Sequence, residues 1–415
     1  MSERRRRLWT ALAALGGLAL VVALVLALLS SGSATQTRTL ATSSTPIASS
    51  TAPATSSTTT SSASSTTTPA VPAPAQPAPR TEQFGASVNW LFNTPSTPNL
   101  IATQLQALRD TGVTIARTDA LWEATEPSAP VNGVHSFDWT FDDTIAGDLA
   151  AHRLRWLAIL DYSAPWAQSV PGRDHSAPSS SADYAAYAGA FAARYGAGGT
   201  FWRAHPELHA EPVQTYEIWN EPDNGEFWAP TPDAARYADL YVSAREAIDA
   251  ADPTARVVVG GLTNPTSFLP AMLAAQPALL GHIDGVAIHP YGTPGVVLAK
   301  IRADRATLVG LGMPDVPLYA TEFGWTTTPP GALEYVQADR RPSYIFETVA
   351  ALGHLDCGIA ASVLYTWYSP QQDPANSQEW YGIDSLTGAP TADTAAFERG
   401  LRRAQAPAGI FPICP

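Results

Sequence analysis

Two short stretches carry residues whose types and positions could do chemistry. "YEIWNEPD", Tyr216 to Asp223, ends an apolar, strand-like run on Asn220, Glu221 and Pro222. Proline has no N–H to give a sheet ladder, so Glu221 is set at a strand end. "YATEFGW", Tyr319 to Trp325, sets Glu322 at the end of a second such run. Either carboxylate alone is as easily a rim ion pair. Facing one another, they become a pair in which one acid protonates a leaving oxygen. The other then attacks the carbon or activates water, which is the chemistry of glycosidic-bond cleavage.

That pairing needs a scaffold that brings distant strand ends together. Eight short apolar or β-branched runs alternate with longer amphipathic segments. They begin at Phe84, Thr114, Arg155, Thr215, Arg256, Gly285, Pro317 and Ser362. The intervening segments carry helix punctuation: Thr231 as a cap with Pro232 in the first turn and Pro253 beyond the end, and Gly358 closing "YIFETVAALGHLDCG". A last helix is expected near Thr391 to Ala404. Eight strand–helix units with nearly continuous apolar strands predict an α/β fold, a parallel (β/α)8 TIM barrel with helices outside. An open doubly wound sheet is the alternative, but "GAGGT" at Gly196 does not follow a strand and makes no phosphate loop.

In such a barrel the strand C-termini build the site. Those positions hold Arg117 and Asp119, Asp161 and Tyr162, Asn220 and Glu221, His289 and Tyr291, Glu322, and Trp367. His289 and Tyr291 are two apart, so they share a face. Glu123 and Glu126 add further rim acids, able to bind hydroxyls or simply to be solvated.

On these residues the chain resembles a clan A glycoside hydrolase. "NEP" at Asn220 matches the acid/base motif on strand four, and the Glu of "TEFGW" the nucleophile on strand seven. "HPYG" at His289, Trp367 and Arg117 match the motifs of strands six, eight and two. "ARTDALWEATEP … FDWTFDD", followed by "ILDYSAPWA", is similar to family 39 and its family 5 and 42 relatives. The resemblance implies that Glu221 is the acid/base and Glu322 the nucleophile of a retaining, double-displacement enzyme. Asn220 would bond the sugar 2-hydroxyl, Tyr291 and Arg117 would hold Glu322 ionised, and His289 would bond a hydroxyl or Glu221. Trp367 would form the floor under the reacting ring. No cofactor and no metal are implied, and a monomer is expected. A transglycosylase, or a sugar-binding barrel without catalysis, would share most of these residues.

Eleven of the twelve tryptophans lie in the barrel region. Trp90, Trp122, Trp166, Trp228, Trp325, Trp367 and Trp380 follow or end candidate strands, where aromatic faces could stack on sugar rings. "HPELHAEP" at His205 lacks the i, i+4 spacing of a helical metal motif.

Composition divides the rest. Arg4 to Arg7 precede an uncharged, mostly apolar run from Leu8 to Leu29, whose 22 residues suffice to span a bilayer. Residues 1–29 are read as a basic block with a membrane anchor or a cleaved signal, and either exports the remainder. Residues 30–80, nearly all Ser, Thr, Ala and Pro, are expected to be a disordered linker, with residues 81–415 the catalytic unit. Residues 1–80 hold six of the chain's 24 basic residues but one of its 37 acids, leaving 18 against 36 in the barrel. That balance argues against nucleic acid as a partner, and the carbohydrate partner expected is the one the resemblance implies. Cys357 and Cys414, in an exported chain, could pair as a disulfide.

Overall fold

The computed structural model describes residues 81–415 other than 82, 174, 408 and 410. Eight parallel strands close in sequence order: β1 (Gln83–Ser87), β2 (Ile115–Leu121), β3 (Arg155–Asp161), β4 (Thr215–Asn220), β5 (Arg256–Leu262), β6 (Val286–Ile288), β7 (Leu318–Phe323) and β8 (Ile359–Leu364). One long helix follows each: α1 (Pro98–Asp110), α2 (Thr140–Ala151), α3 (Ser181–Tyr195), α4 (Ala234–Ala251), α5 (Pro265–Ala275), α6 (Pro294–Gly310), α7 (Arg341–Leu352) and α8 (Ala392–Gln405). The expected TIM barrel is present. No helix among the described residues is long and apolar enough to cross a membrane. The anchor or signal at Leu8–Leu29 and the linker at 30–80 lie outside the described residues.

The strands are apolar throughout because both faces are buried. Ile115, Leu157, Val258, Tyr319 and Val363 fill the barrel interior, while Ala116, Leu160, Val259 and Leu318 pack outward under the helices. Above that apolar layer the alternation of period two turns charged inside the strands, where the inward positions of β2 and β4 are Arg117 and Glu217, both fully buried. Apolar packing therefore stabilises the barrel below, and the polar groups collect at one mouth.

Three local expectations change. The cap of α4 is Asp233, whose side chain accepts from the Ala235 and Arg236 N–H groups, rather than Thr231. A carboxylate there also suits the positive end of the helix dipole. Gly358 (φ +65°) does not end α7, which stops at Leu352; it turns the chain into β8, where a Cβ would meet Arg305. β8 therefore begins at Ile359, three residues earlier than the sequence pattern suggested, and ends before Trp367. For α8, Thr391 caps through a reciprocal pair with Thr394.

Cys357 and Cys414 form a disulfide at the barrel end opposite the polar mouth, just ahead of β8. The tail is also held by Ile413 and Cys414 N–H groups on Asp356 Oδ1, each at 3.0 Å. The bond closes a loop of 57 residues. Cys414→Ser should lower stability by about 2–4 kcal/mol, measured by denaturant unfolding without reductant. An unfolding midpoint matching wild type would show that the crosslink constrains nothing.

Candidate active site

Arg117 organises the mouth. Its Nε and Nη2 donate to the two oxygens of Glu217 at 2.8 and 2.9 Å, and its Nη1 donates to Glu322 Oε1 at 2.5 Å. Arg117 and Glu217 have no exposed side-chain surface. Glu217 also accepts the Gly261 N–H at 2.8 Å. A planar guanidinium shared by two carboxylates fixes the angle at which Glu322 is presented. Sequence reasoning missed Glu217. Its signal was an acid inside the apolar run "YEIW", on the barrel-facing side, opposite the equally unusual Arg117.

Glu322 is held from its other side by the Tyr291 hydroxyl, which donates to Oε2 at 2.6 Å. Burial alone would push the Glu322 carboxyl up. The charges of His289 and Arg117, with hydrogen bonds from Tyr291 and Arg117, outweigh it and hold the group below its ordinary 4.5. Burial and the Glu322 charge push Tyr291 well above its ordinary 10.0, so its hydroxyl stays a donor. Glu322 is thus an ionised, aimed carboxylate.

Glu221 receives a hydrogen bond from His289 Nδ1 at 2.7 Å and one from Asn224 Nδ2 at 2.7 Å. Asn220 offers Oδ1 to Arg117 at 3.1 Å and donates Nδ2 to the Tyr162 hydroxyl at 3.0 Å. One hydrogen of that amide remains for a ligand. Strict alternation would send Asn220 and Glu221 to opposite faces. Two left-handed residues, Trp219 (φ +67°) and Glu221 (φ +47°), break it, turning Trp219 into the outer layer and both polar groups to the mouth. Such conformations cost about 1–3 kcal/mol each in a non-glycine residue and persist where the surroundings impose them, commonly at functional sites.

His289 lies between both acids, with Nδ1 3.6 Å from Glu322 Oε2. Burial would lower its pKa, but the charge of Glu322 and the hydrogen bond and charge of Glu221 hold it above its ordinary 6.5. Its ring fits because position 261 is glycine: a Cβ there would sit 2.0 Å from His289 Nε2. Gly261→Ala should therefore displace the imidazole from Glu221. A fall in activity of about 10²-fold, the cost of misplacing a group by an ångström, is expected with thermal stability reduced less than for a core cavity. Activity at the wild-type level would mean the ring is not held where it is needed.

The two shifts also set the pH dependence of stability. Glu322, depressed on folding, contributes stability that is present above 4.5 and is lost as pH falls through its folded value. His289, raised on folding, contributes stability that is full below 6.5 and is lost as pH rises through its folded value. Thermal unfolding followed against pH should show both limbs. An alkaline limb that survives in His289→Gln would assign it to another group.

Asp161 is fully buried, and neither of its carboxyl oxygens has a hydrogen-bond partner among the described residues. Burial, then the charge of Asp119, push it well above its ordinary 3.8. Asp119 itself accepts from Asn89 Nδ2 at 2.7 Å and from Asn93 Nδ2. Glu126 is occupied by the Trp122 indole N–H and by His135.

The structure corrects two aromatic expectations. Trp367 does not floor the site: it is 1% exposed and packs in the layer beneath the helices, its ring 6.5 Å from Phe397 of α8. β8 ends at Leu364, and the mouth-facing aromatic just beyond it is Tyr365, half-buried and 6.5 Å from Tyr291. Of the seven tryptophans expected to present stacking faces, Trp122, Trp228 and Trp325 are likewise buried packing residues. The half-exposed rings bordering the acids are Tyr162, His175, Phe227, Tyr291 and Tyr365.

One ligand atom each from Glu221, His289 and Glu322 lies within 4.8 Å of the others, close enough to bridge a metal ion. The Arg117 guanidinium already supplies positive charge at 2.5 Å from Glu322, which opposes a second cation there.

No protein-family model matches the chain, and no curated protein matches it by sequence. Solved structures do match by fold. The GH39 enzyme from Xanthomonas axonopodis pv. citri aligns at 21% identity with a TM-score of 0.59, over 77% of this chain and 66% of that one, just under two thirds of its length. A monomeric β-xylosidase from Caulobacter crescentus CB15 aligns at 20% identity and a TM-score of 0.60, over 77% and 69%. A fungal β-1,4-galactanase aligns at 16% identity and a TM-score of 0.52, over 77% and 99%. At these identities the likeness is one of fold: the chain shares its barrel with these enzymes, a GH39 enzyme among them.

Proposed function

We propose that the barrel is a retaining glycoside hydrolase that cleaves O-glycosidic bonds by double displacement. The observation that carries this proposal is the pair of buried carboxylates at one mouth. Glu322 is held ionised by Arg117 and Tyr291, and a Glu221 oxygen lies within 4.8 Å of one of its own. Carboxyl groups about 5–5.5 Å apart leave room for covalent attack, whereas an intervening water needs about 6.5–9.5 Å.

In the first step Glu322 attacks the anomeric carbon while Glu221 gives its proton to the leaving oxygen. Water, activated by Glu221, then releases the sugar from Glu322. His289 and Asn224 orient Glu221. The free hydrogen of the Asn220 amide reaches the 2-hydroxyl, a bond that strengthens as the oxocarbenium ion develops.

The substrate is a carbohydrate, oligomeric or polymeric. The protein acts outside the membrane, anchored by Leu8–Leu29 or released if that segment is cleaved, and works as a monomer.

The experiment is a panel of aryl β-xylosides and β-galactosides with xylan and β-1,4-galactan, chosen for the substrates in the names of the fold neighbours. The product anomer is followed by NMR. Retention of configuration in the first-formed product is expected; inversion would remove Glu322 as nucleophile.

A further inference from the structure

Beside Glu221 three aromatic rings meet that no part of the proposed chemistry uses. Tyr162, at the end of β3, lies 4.3 Å from His175 and 6.3 Å from Phe227, and His175 and Phe227 are stacked at 5.0 Å. All three are half-buried. The planes of Tyr162 and Phe227 differ by 19°, and those of His175 and Phe227 by 26°. Behind them Trp219 is fully buried and meets Tyr162 edge-on.

The cluster is rigidly tied to the acid. Phe227 donates its N–H to the Asn224 carbonyl, and the Asn224 side chain bonds Glu221. Tyr162 receives the Asn220 amide. Across the gap, His175 Nδ1 bonds the Glu226 carbonyl at 3.0 Å, and the backbone of His175 and Ala177 pairs with Ala229. The loops after β3 and β4 are thereby joined into one wall.

We infer that Tyr162, His175 and Phe227 form a binding subsite for the sugar on the leaving-group side of the cleaved bond, a pyranose presenting a C–H face. The inference rests on the proposed hydrolase reading. In that chemistry the leaving oxygen lies next to the acid, so the wall attached to Glu221 borders the departing residue rather than the one that becomes bound to Glu322. Phe227 lies near-parallel to both other rings, while Tyr162 and His175 are tilted by 42° to one another, and with no Asp, Glu, Lys or Arg in the cluster the wall suits a neutral ring. Binding energy from a non-reacting sugar can be used to orient the reacting one, so occupancy should raise turnover as well as affinity.

The test compares Phe227→Ala and His175→Ala with wild type on xylotriose and β-1,4-galactotriose, each against the matching glycosyl fluoride, which has no leaving-side sugar. The ratio of kcat/KM on trisaccharide to that on fluoride should fall about tenfold or more in each variant. Phe227→Tyr, which keeps a ring, should restore it. Calorimetric binding of the trisaccharide to Glu322→Ala, with and without Phe227→Ala, gives a second readout that needs no turnover, and a loss of about tenfold in affinity is expected. An unchanged ratio and unchanged affinity in folded variants would overturn the subsite while leaving the hydrolase intact. A wild-type protein that cleaves and binds none of these probes would instead overturn the hydrolase reading, and the subsite with it.

Discussion

On the proposed double displacement, Glu322→Ala is expected to reduce turnover of every glycoside to the limit of detection, whatever its leaving group, because the variant lacks the attacking atom. Glu221→Ala should behave differently. It removes the proton donor of the first step and the base of the second, but the nucleophile and its supports remain: Arg117 at 2.5 Å and Tyr291 at 2.6 Å from Glu322. Aryl glycosides with acidic leaving groups need little protonation, so their first step should survive and the intermediate should accumulate. Azide, which attacks without a base, should then release a glycosyl azide. Natural glycans, with poor leaving groups, should lose about 10²–10⁴-fold in rate. Steady-state rates on a leaving-group series, with mass spectrometry of the azide product, make the measurement. Equal slowing of good and poor leaving groups, with no azide product, would remove Glu221 from the acid/base role.

The second large effect is expected at Glu217, which need not touch substrate. It positions Arg117, and the two form a fully buried ion pair with two hydrogen bonds. Removing one partner of such a pair leaves the other charge uncompensated and typically costs about 3–5 kcal/mol. Glu217→Ala should show that loss in denaturant unfolding. It should also lower kcat on an aryl glycoside by about 10²-fold, since Arg117 would no longer present Glu322 at a fixed angle. Glu217→Gln keeps the shape but not the charge and should lie between. Stability within about 0.5 kcal/mol of wild type, the usual effect of a surface change, would show that Arg117 finds its support elsewhere. Normal kcat in a destabilised variant would make the pair structural only.

Much of the site could be read from the chain because function and packing disagree there. Arg117 inside β2, and Glu221, His289 and Glu322 at the ends of apolar strands, are polar residues where burial without a partner is costly, so their presence demands an explanation. Glu217 carries the same signal, but a strand interior does not announce which inward position will lie deep enough to meet Arg117. The aromatic residues were the least legible. Trp367 and Tyr365 are two positions apart, and no pattern of spacing separates a ring that lines a mouth from one that packs beneath a helix.

The alternation of apolar strands and amphipathic helices, by itself, determined the closed parallel barrel, since eight strands buried on both faces with helices between them have few other ways to hide their surface. It also indicated at which mouth of the barrel the buried polar groups collect. The orientation of each group was decided only in three dimensions. The left-handed turns at Trp219 and Glu221 bring Asn220 and Glu221 to one side, and the absent Cβ of Gly261 admits His289. The irregular register between β7 and β8 spans the Glu322 position. The physical reason is that strand periodicity is local, while departures from it are imposed by neighbouring strands and by the partners that buried polar groups must find.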